Sequence, residues 1–397
     1  MAHVDAASSR LALIVGHTAG MIDMVSLPIW VGALLAGYGY TPAQAGGLVT
    51  AFLIGVVVAS SALAPLFHRW PMRWVPALGF AGASLAFLGL WFAPGFSAFL
   101  VLHLSAGLCV GAALSATHGT IGRTRNPHRT FAFATIGFGI FGALFVVFAV
   151  QVIAATAPAS LFLIFAGIMA IAATVMLILF PASEAPPPTP IAEPAPAAAA
   201  PRFKPAVWLL IAGLLGMNFN QSMNFSFVER VGIDQGWPAS SVSGVLIAVA
   251  LVSLLSAPLA VLLEKRLNPL HVGMAGALLQ ALLSLGVTSS PAFAGYAACA
   301  CLIPFVMIFS HTFLFGLMSR EEPTGRAVAA NPAITMGGGA LGPLMGGILV
   351  QTLGYGGLSA ATAFVSTVVI ATLLWAGGQM LARPVVTRRA VAKEPAR

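Results

Sequence analysis

Charge is what this sequence has least of. Asp, Glu, Lys and Arg together make up 7% of its 397 residues, against roughly a quarter in a soluble globular protein. A chain so poor in charge cannot clothe a water-facing surface, and it holds no polar stretch long enough for a sizeable soluble domain. Cysteine is nearly missing as well. Cys109, Cys299 and Cys301 are the three present, each in an apolar run and none in C-x-x-C spacing. That argues against a disulfide scaffold or a thiolate metal site and leaves them as packing residues. Also missing are a G-x-x-x-x-G-K-[ST] phosphate loop, a G-x-S-x-G elbow and an H-E-x-x-H helix. Without them there is no ground for expecting an enzyme or a cofactor, and any transport work would have to run on an ion gradient.

What the chain has in abundance is hydrocarbon: 59% hydrophobic residues and a mean hydropathy of +0.97. Inside a bilayer no water satisfies backbone N–H and C=O groups, so a spanning chain is helical or a closed barrel. Long unbroken apolar runs select helices. At about 20 residues per crossing, spans are read near 11–35, 44–67, 74–93, 97–121, 130–153 and 158–181, then near 206–228, 240–263, 270–288, 293–318, 327–353 and 357–381. The apolar run after the polar segment Met1–Arg10 is too long for a cleavable signal, so the first helix is expected to stay. Between the two sets lies a Pro/Ala-rich stretch, 182–205, whose composition cannot bury itself and reads as a cytoplasmic linker. The expected organisation is a six-helix bundle over 1–181, the linker, and a second six-helix bundle over 206–397 with a short basic tail.

A formal net charge of +8 would suggest nucleic acid in a soluble protein, so the location of the cations decides. Lys and Arg are retained on the cytoplasmic side of short loops. With the N-terminus inside, all but one of the 18 Lys and Arg residues fall on that side, Arg230 being the exception. Topology therefore accounts for the basicity, nucleic acid is not expected, and some of these cations are placed to touch anionic lipid heads. The reading is a multi-pass protein of the plasma membrane, a bacterial inner membrane, with both termini cytoplasmic.

The halves repeat at an offset of 196 residues: Pro42-Ala43 corresponds to Pro238-Ala239, Ser60 and Leu63 to Ser256 and Leu259, Arg69 to Lys265, and Pro127 to Pro323. Parallel repeats of six helices are a transporter construction with the substrate site between the halves near the midplane. On this repeat and on three motifs the chain resembles the major facilitator superfamily over essentially its whole length. The superfamily's G-x-L-x-D-R-x-G-x-R loop is degenerate here from Ala64 to Arg73, with His68 for the aspartate and Pro71 for the second glycine, and a fainter copy runs from Ala260 to Lys265. The R-x-x-x-G-x-x-x-G signature of the fourth helix reads His103, Gly107, Gly111, with His for Arg. Gly342-Pro343 and Gly346-Gly347 are similar to the close-packing segment of the eleventh helix. The resemblance implies an all-α membrane fold of twelve helices in two pseudo-symmetric bundles. It implies cytoplasmic gating contacts at Arg69, Arg73, Glu264 and Lys265, and a central cavity lined by the first, fourth, seventh and tenth helices.

An ionisable group inside a bilayer costs at least a few kcal/mol, so its default reading is functional. Asp23 falls near the middle of the first span, roughly 18 Å from its inner start, and His103 roughly 10 Å from the outer start of the fourth at 1.5 Å per residue. In a core about 30 Å thick these depths nearly coincide. The two are therefore expected to meet as a pair that titrates as a unit, with Asp23 carrying the coupling proton and His103 modulating it. The plainer alternatives are a hydrogen-bonded structural acid and a packing imidazole. His17, His118 and His311 lie near the cytoplasmic ends of the first, fourth and tenth spans and are substrate candidates. Met21 beside His17 and Met307 beside His311 would also make a thioether and imidazole set that a soft copper ion accepts. On the seventh span Asn218, Gln221 and Ser222, extended by Asn224, share a face that reads as substrate contact or as interhelical bonding. Asn331 on the eleventh is a further candidate. Arg230 reads as the partner of Glu229 at the outer mouth, and Pro28 and Pro304 as kinks.

The expected function is a monomeric, proton-coupled, alternating-access carrier of a small organic solute that is neutral, weakly anionic or amphipathic. A transition-metal carrier and a non-transporting receptor or assembly factor on a carrier scaffold are the alternatives, and flux in proteoliposomes separates the last from the others.

Overall fold

The structure, a computed structural model, describes residues 5–63, 74–181, 203–322, 327 and 331–381. All regular structure among them is helical. In the first half, α1 (Ala7–Gly20) and α2 (Asp23–Tyr38) form one crossing, followed by α3 (Pro42–Leu63), α4 (Val75–Leu90), α5 (Gly95–Ile121), α6 (Pro127–Ala155) and α7 (Ser160–Leu179). In the second, α8 (Pro205–Phe225) with α9 (Val228–Asp234) and α10 (Ala239–Ser253) with α11 (Ser256–Leu263) make the first two crossings. They are followed by α12 (Pro269–Ser289), α13 (Phe293–Glu321), α14 (Asn331–Ala340) with α15 (Gly342–Leu353), and α16 (Tyr355–Leu381).

Ten stretches of the described residues are long and apolar enough to cross a bilayer. α4 is a shorter apolar helix, and α8 is the amide-bearing crossing. The helices begin where backbone donors need help. Asn126 Oδ1 accepts the Arg129 N–H at 3.1 Å at the start of α6, and Asn268 Oδ1 accepts the Leu270 N–H at 2.9 Å at the start of α12, as N-caps do. Gly39, at a φ of 63°, ends α2 in the left-handed conformation that glycine tolerates best.

The described helices group into twelve crossings, four of them broken rather than continuous. The first gives way at Met21–Ile22, the seventh at Ser226–Phe227, the eighth at Leu254–Leu255 and the eleventh at Leu341. None of these breaks falls at Pro28 or Pro304, which sit inside the continuous helices α2 and α13. At the break in the first crossing the Met24 N–H donates to the Met21 carbonyl at 3.1 Å and the Ser26 N–H to the Ile22 carbonyl at 3.1 Å, and α2 starts at Asp23.

Within the first bundle α5 packs on α3 so closely that a Cβ at Gly107 or Gly111 would strike the carbonyls of Phe52 and Val56. Small residues permit such approach between helices in lipid. Trp30, Phe52, Phe87 and Phe165 interlock beside this contact with ring centroids 4.8 to 5.9 Å apart. In the second bundle α8, α12, α13 and α16 surround a core of Leu210, Leu214, Met217, Leu314 and Leu373. The bundles meet through α3 and α15. There Gly46 lies under the Pro343 carbonyl, Gly347 under the Pro42 carbonyl, and Thr50 Oγ1 accepts the Leu344 N–H at 3.1 Å. This seam lies toward the end where α2 turns into α3, called here the hairpin end; the opposite end, where α1 and α8 begin, is the linker end. Pro42 and its repeat partner Pro238 both stand at the start of a second crossing, and the glycine motif of α15 makes the close contact that its composition implied.

At Gly347 a side chain of any size overlaps the backbone of α3. Gly347→Leu is expected to separate α3 from α15, lengthening distances between spin labels at the hairpin ends of the two bundles and reducing solute flux at least tenfold. Unchanged distances would show that this seam is not the closure.

Candidate functional site

Asp23 is 5% exposed at the break between α1 and α2. The N-terminus of α2 favours an anion there through its helix dipole. Oδ1 of the same carboxylate is sealed from solvent with no hydrogen-bond partner, and so is Ser26 Oγ one turn on. A buried charge without a partner is costly. The site thus holds one carboxyl group under two opposed demands, one favouring the ion and the other the neutral acid.

His103 does not join it. Its Nδ1–H donates to the Phe99 carbonyl at 2.8 Å and its Nε2 accepts the Trp30 Nε1–H at 3.2 Å. The ring is fully buried among Trp30, Phe99 and Phe162. Both nitrogens are used within the first bundle, and the expected pair with Asp23 is not formed. Equal depth in the bilayer says nothing about the direction in which a helix turns its side chain, and His103 turns into the bundle. It serves as the acceptor for an indole that would otherwise be buried unpaired.

The other histidines separate by bundle. His17 Nδ1 and His118 Nε2 lie 2.9 Å apart, one ring donating to the other, and Phe131 and Phe138 of α6 stand edge-on around His17. His311 Nε2 lies 3.3 Å from the Thr335 hydroxyl, and its ring packs on Phe315. The set His17, Met21, Met307 and His311 is not brought together. Met307 is a core residue whose sulfur lies 3.7 Å from Gln280 Nε2, and among the described residues no three His, Cys, Asp or Glu converge as a metal site.

The polar cluster of α8 divides by face. Asn224 Nδ2 donates to Thr362 Oγ1 at 2.7 Å while its Oδ1 accepts from Ser284 at 2.5 Å, and Asn220 donates to Ser366 at 3.1 Å. These amides bolt α8 to α12 and α16, so Asn224 belongs to the interior of the second bundle and not to the substrate face expected of it. On the other face Asn218 packs against Gly338 of α14 and donates to the Leu214 carbonyl at 2.8 Å. Gln221 Oε1 and Ser222 Oγ are buried without partners. Asn331 opens α14, and its side chain lies outside the described residues, as do the gating candidates Arg69 and Arg73. Glu264 pairs with Arg320 at 3.2 Å, an exposed contact within the second bundle, and Lys265 is exposed beside it.

One candidate escaped the sequence reading. Arg230 pairs with Asp234, at 2.7 Å, and not with Glu229. Glu229 points instead toward the first bundle, where its carboxylate lies against Gly32 of α2, close enough that a Cβ on Gly32 would collide with it. Its Oε2 is sealed and unpartnered. Tyr296 holds the same turn by donating to the Val228 carbonyl at 2.8 Å. The signal was available, because a carboxylate one residue into α9 turns roughly 100° away from its neighbour. Adjacency in sequence had suggested a pair that helical geometry forbids.

Two helical bundles meeting at a glycine seam, with unpartnered polar atoms on facing broken helices, define a secondary-transporter architecture. The Major Facilitator Superfamily profile matches residues 12–331, and the chain belongs to that superfamily. Among solved structures, a point mutant of the nucleoside transporter NupG is similar with a TM-score of 0.71 at 15% identity, covering 92% of this chain and 99% of its own. A bacterial homologue of the human lysosomal transporter Spinster, in an inward-facing and occupied conformation, aligns with a TM-score of 0.67 at 14% identity, covering 94% and 96%. No curated protein matches the chain by sequence.

Replacing His103 by Leu leaves the Trp30 indole N–H buried without an acceptor, a cost of about 1–3 kcal/mol. Thermal unfolding in detergent is expected to fall by several degrees while the pH dependence of transport stays unchanged. An altered pH profile in a stable variant would restore His103 to the coupling path.

Proposed function

We propose that the protein is a proton-coupled, alternating-access carrier of a small, hydrogen-bonding organic solute, neutral or weakly anionic, working as a monomer in a bacterial plasma membrane. The observation that carries the coupling is the sealed, unpartnered carboxylate oxygen of Asp23 at the break in the first crossing. The cation count supports a cytoplasmic linker end, and the packed α3–α15 seam then closes the external end. In this reading Asp23 accepts its proton when the site is open to water and keeps it while sealed, because an unpaired ion in that position costs several kcal/mol.

Glu229 acts at the same seam. When the external end opens, water reaches the carboxylate and it ionises; when α2 and α9 close, Gly32 comes against it and Oε2 is left without a donor, so closure favours the neutral form. Solute contacts are assigned to His17, His118, Asn218, Gln221, Ser222 and His311. The unpartnered oxygens of Gln221, Ser222 and Ser26 ask for hydrogen-bond donors rather than for formal charge, which favours a solute rich in hydroxyl or N–H groups. A nucleoside, the solute class that NupG carries, is of this kind, and the likeness to NupG is one of fold.

Asp23→Asn is expected to abolish accumulation driven by a pH gradient in proteoliposomes and to leave solute counterflow within about threefold of wild type. Accumulation that survives the change would defeat the assignment. Raising external pH is expected to slow the wild type, since more Glu229 is ionised when the external end is open. Glu229→Gln is expected to flatten that dependence, and an unaltered slope would remove Glu229 from the seam's operation.

A further inference from the structure

The start of α1, the connection after α5 and the start of α6 enclose a cavity of about 320 Å³ at the linker end. Its walls carry three cations, Arg10, Arg125 and Arg129, one anion, Asp5, and an apolar floor that includes Ile14 and Phe133. The anion is already engaged. Asp5 accepts the Arg125 backbone N–H at 3.2 Å and faces the Arg10 guanidinium at 3.6 Å. Three cations less one anion leave the cavity with a surplus of two positive charges. Arg129 is held in place by its own backbone bond to Asn126 and by its guanidinium lying 5.4 Å over the Phe133 ring. Guanidinium groups present a planar fork that matches phosphate oxygens.

The floor of the cavity does not end at Phe133. Exposed apolar side chains continue at three- and four-residue spacing down the same face of α6: Phe133, Ile136, Ile140, Leu144 and Phe148, 44% to 65% exposed. At 1.5 Å per residue this stripe is roughly 22 Å long, more than the depth of one leaflet, about half of a 30 Å core. A cationic cup that opens onto such a track fits a molecule with a phosphate head and a hydrocarbon tail. A free phosphate ion would leave the track unused.

We propose that this cavity seats the phosphate of an anionic phospholipid, with one acyl chain lying along the α6 stripe. The lipid then clamps the start of α1 to α6, at the far end of the half-helix that terminates beside Asp23.

Native mass spectrometry of the full-length protein in neutral detergent tests this, with phosphatidylglycerol, phosphatidylcholine and inorganic phosphate as the probes. Wild type is expected to retain one phosphatidylglycerol in preference to phosphatidylcholine, undisturbed by millimolar inorganic phosphate. Arg125→Gln with Arg129→Gln is expected to weaken retention about thirtyfold, at about one kcal/mol per arginine near a charged membrane surface. Asp5→Asn keeps an acceptor for the Arg125 N–H and removes the negative charge, so it is expected to tighten retention severalfold. Arg320→Gln, a control at an exposed cation elsewhere, is expected to change nothing. Equal retention by the double variant, or no preference for phosphatidylglycerol, would overturn the proposal. Displacement by inorganic phosphate would assign the cup to a free anion and overturn the lipid.

Discussion

Every polar atom that this chain carries into hydrocarbon has to find its partner within the protein, because the bilayer supplies none. Most of the buried set comply. The Trp30 indole meets His103, His103 meets Phe99, and Asn224 joins Ser284 and Thr362 around the middle of the second bundle. Each of these bonds rigidifies one bundle. The exceptions among the described residues are side-chain oxygens of Asp23 and Ser26 on α2, Asn220, Gln221 and Ser222 on α8, Glu229 on α9 and Gln280 on α12. A polar atom left without a partner in a folded membrane protein has to be explained, and under the proposed function the partner of those on Asp23, Ser26, Gln221, Ser222 and Glu229 is a solute or a proton.

Rigidity and motion are divided in the same way. Inside a bundle, glycine lets α5 lie against α3 at backbone contact, and aromatic rings fill what remains. Between the bundles, Gly46 and Gly347 bring α3 and α15 together at the hairpin end, a contact that the proposed function makes reversible. Close backbone packing without long side chains has little to unlock when it opens. The broken crossings add half-helices, one of which starts at Asp23, and discontinuous helices are a device that transporters use to hold charge near the midplane.

The two bundles, the number of crossings and the use of glycine were legible from the residues, since hydrophobic runs and a repeat of 196 positions report on solvent and on duplication. Helix breaks were not. Pro28 and Pro304 drew attention as kinks, yet the chain breaks at Met21–Ile22, where Asp23 starts a new helix. Of the site, Asp23 was visible because a lone acid in an apolar run is rare. His17 and His118 were visible as a matter of depth, but that they touch at 2.9 Å was not. Glu229 was misread because its neighbour Arg230 offered a partner one residue away.

The sequence by itself determined that the chain lives in lipid and crosses it as helices, because unsatisfied backbone in hydrocarbon allows only helices or a closed barrel and long apolar runs select helices, and the repeat at 196 residues determined that it does so in two related halves. Only the tertiary structure decided which polar side chains are spent within a bundle and which are left facing the seam. That choice depends on the rotation of each helix about its axis, and rotation is set by packing against neighbours distant in sequence. His103 and Asp23 lie at nearly the same depth by count, and the fold gives one of them to the bundle's own hydrogen bonds and leaves a carboxylate oxygen of the other buried without a partner.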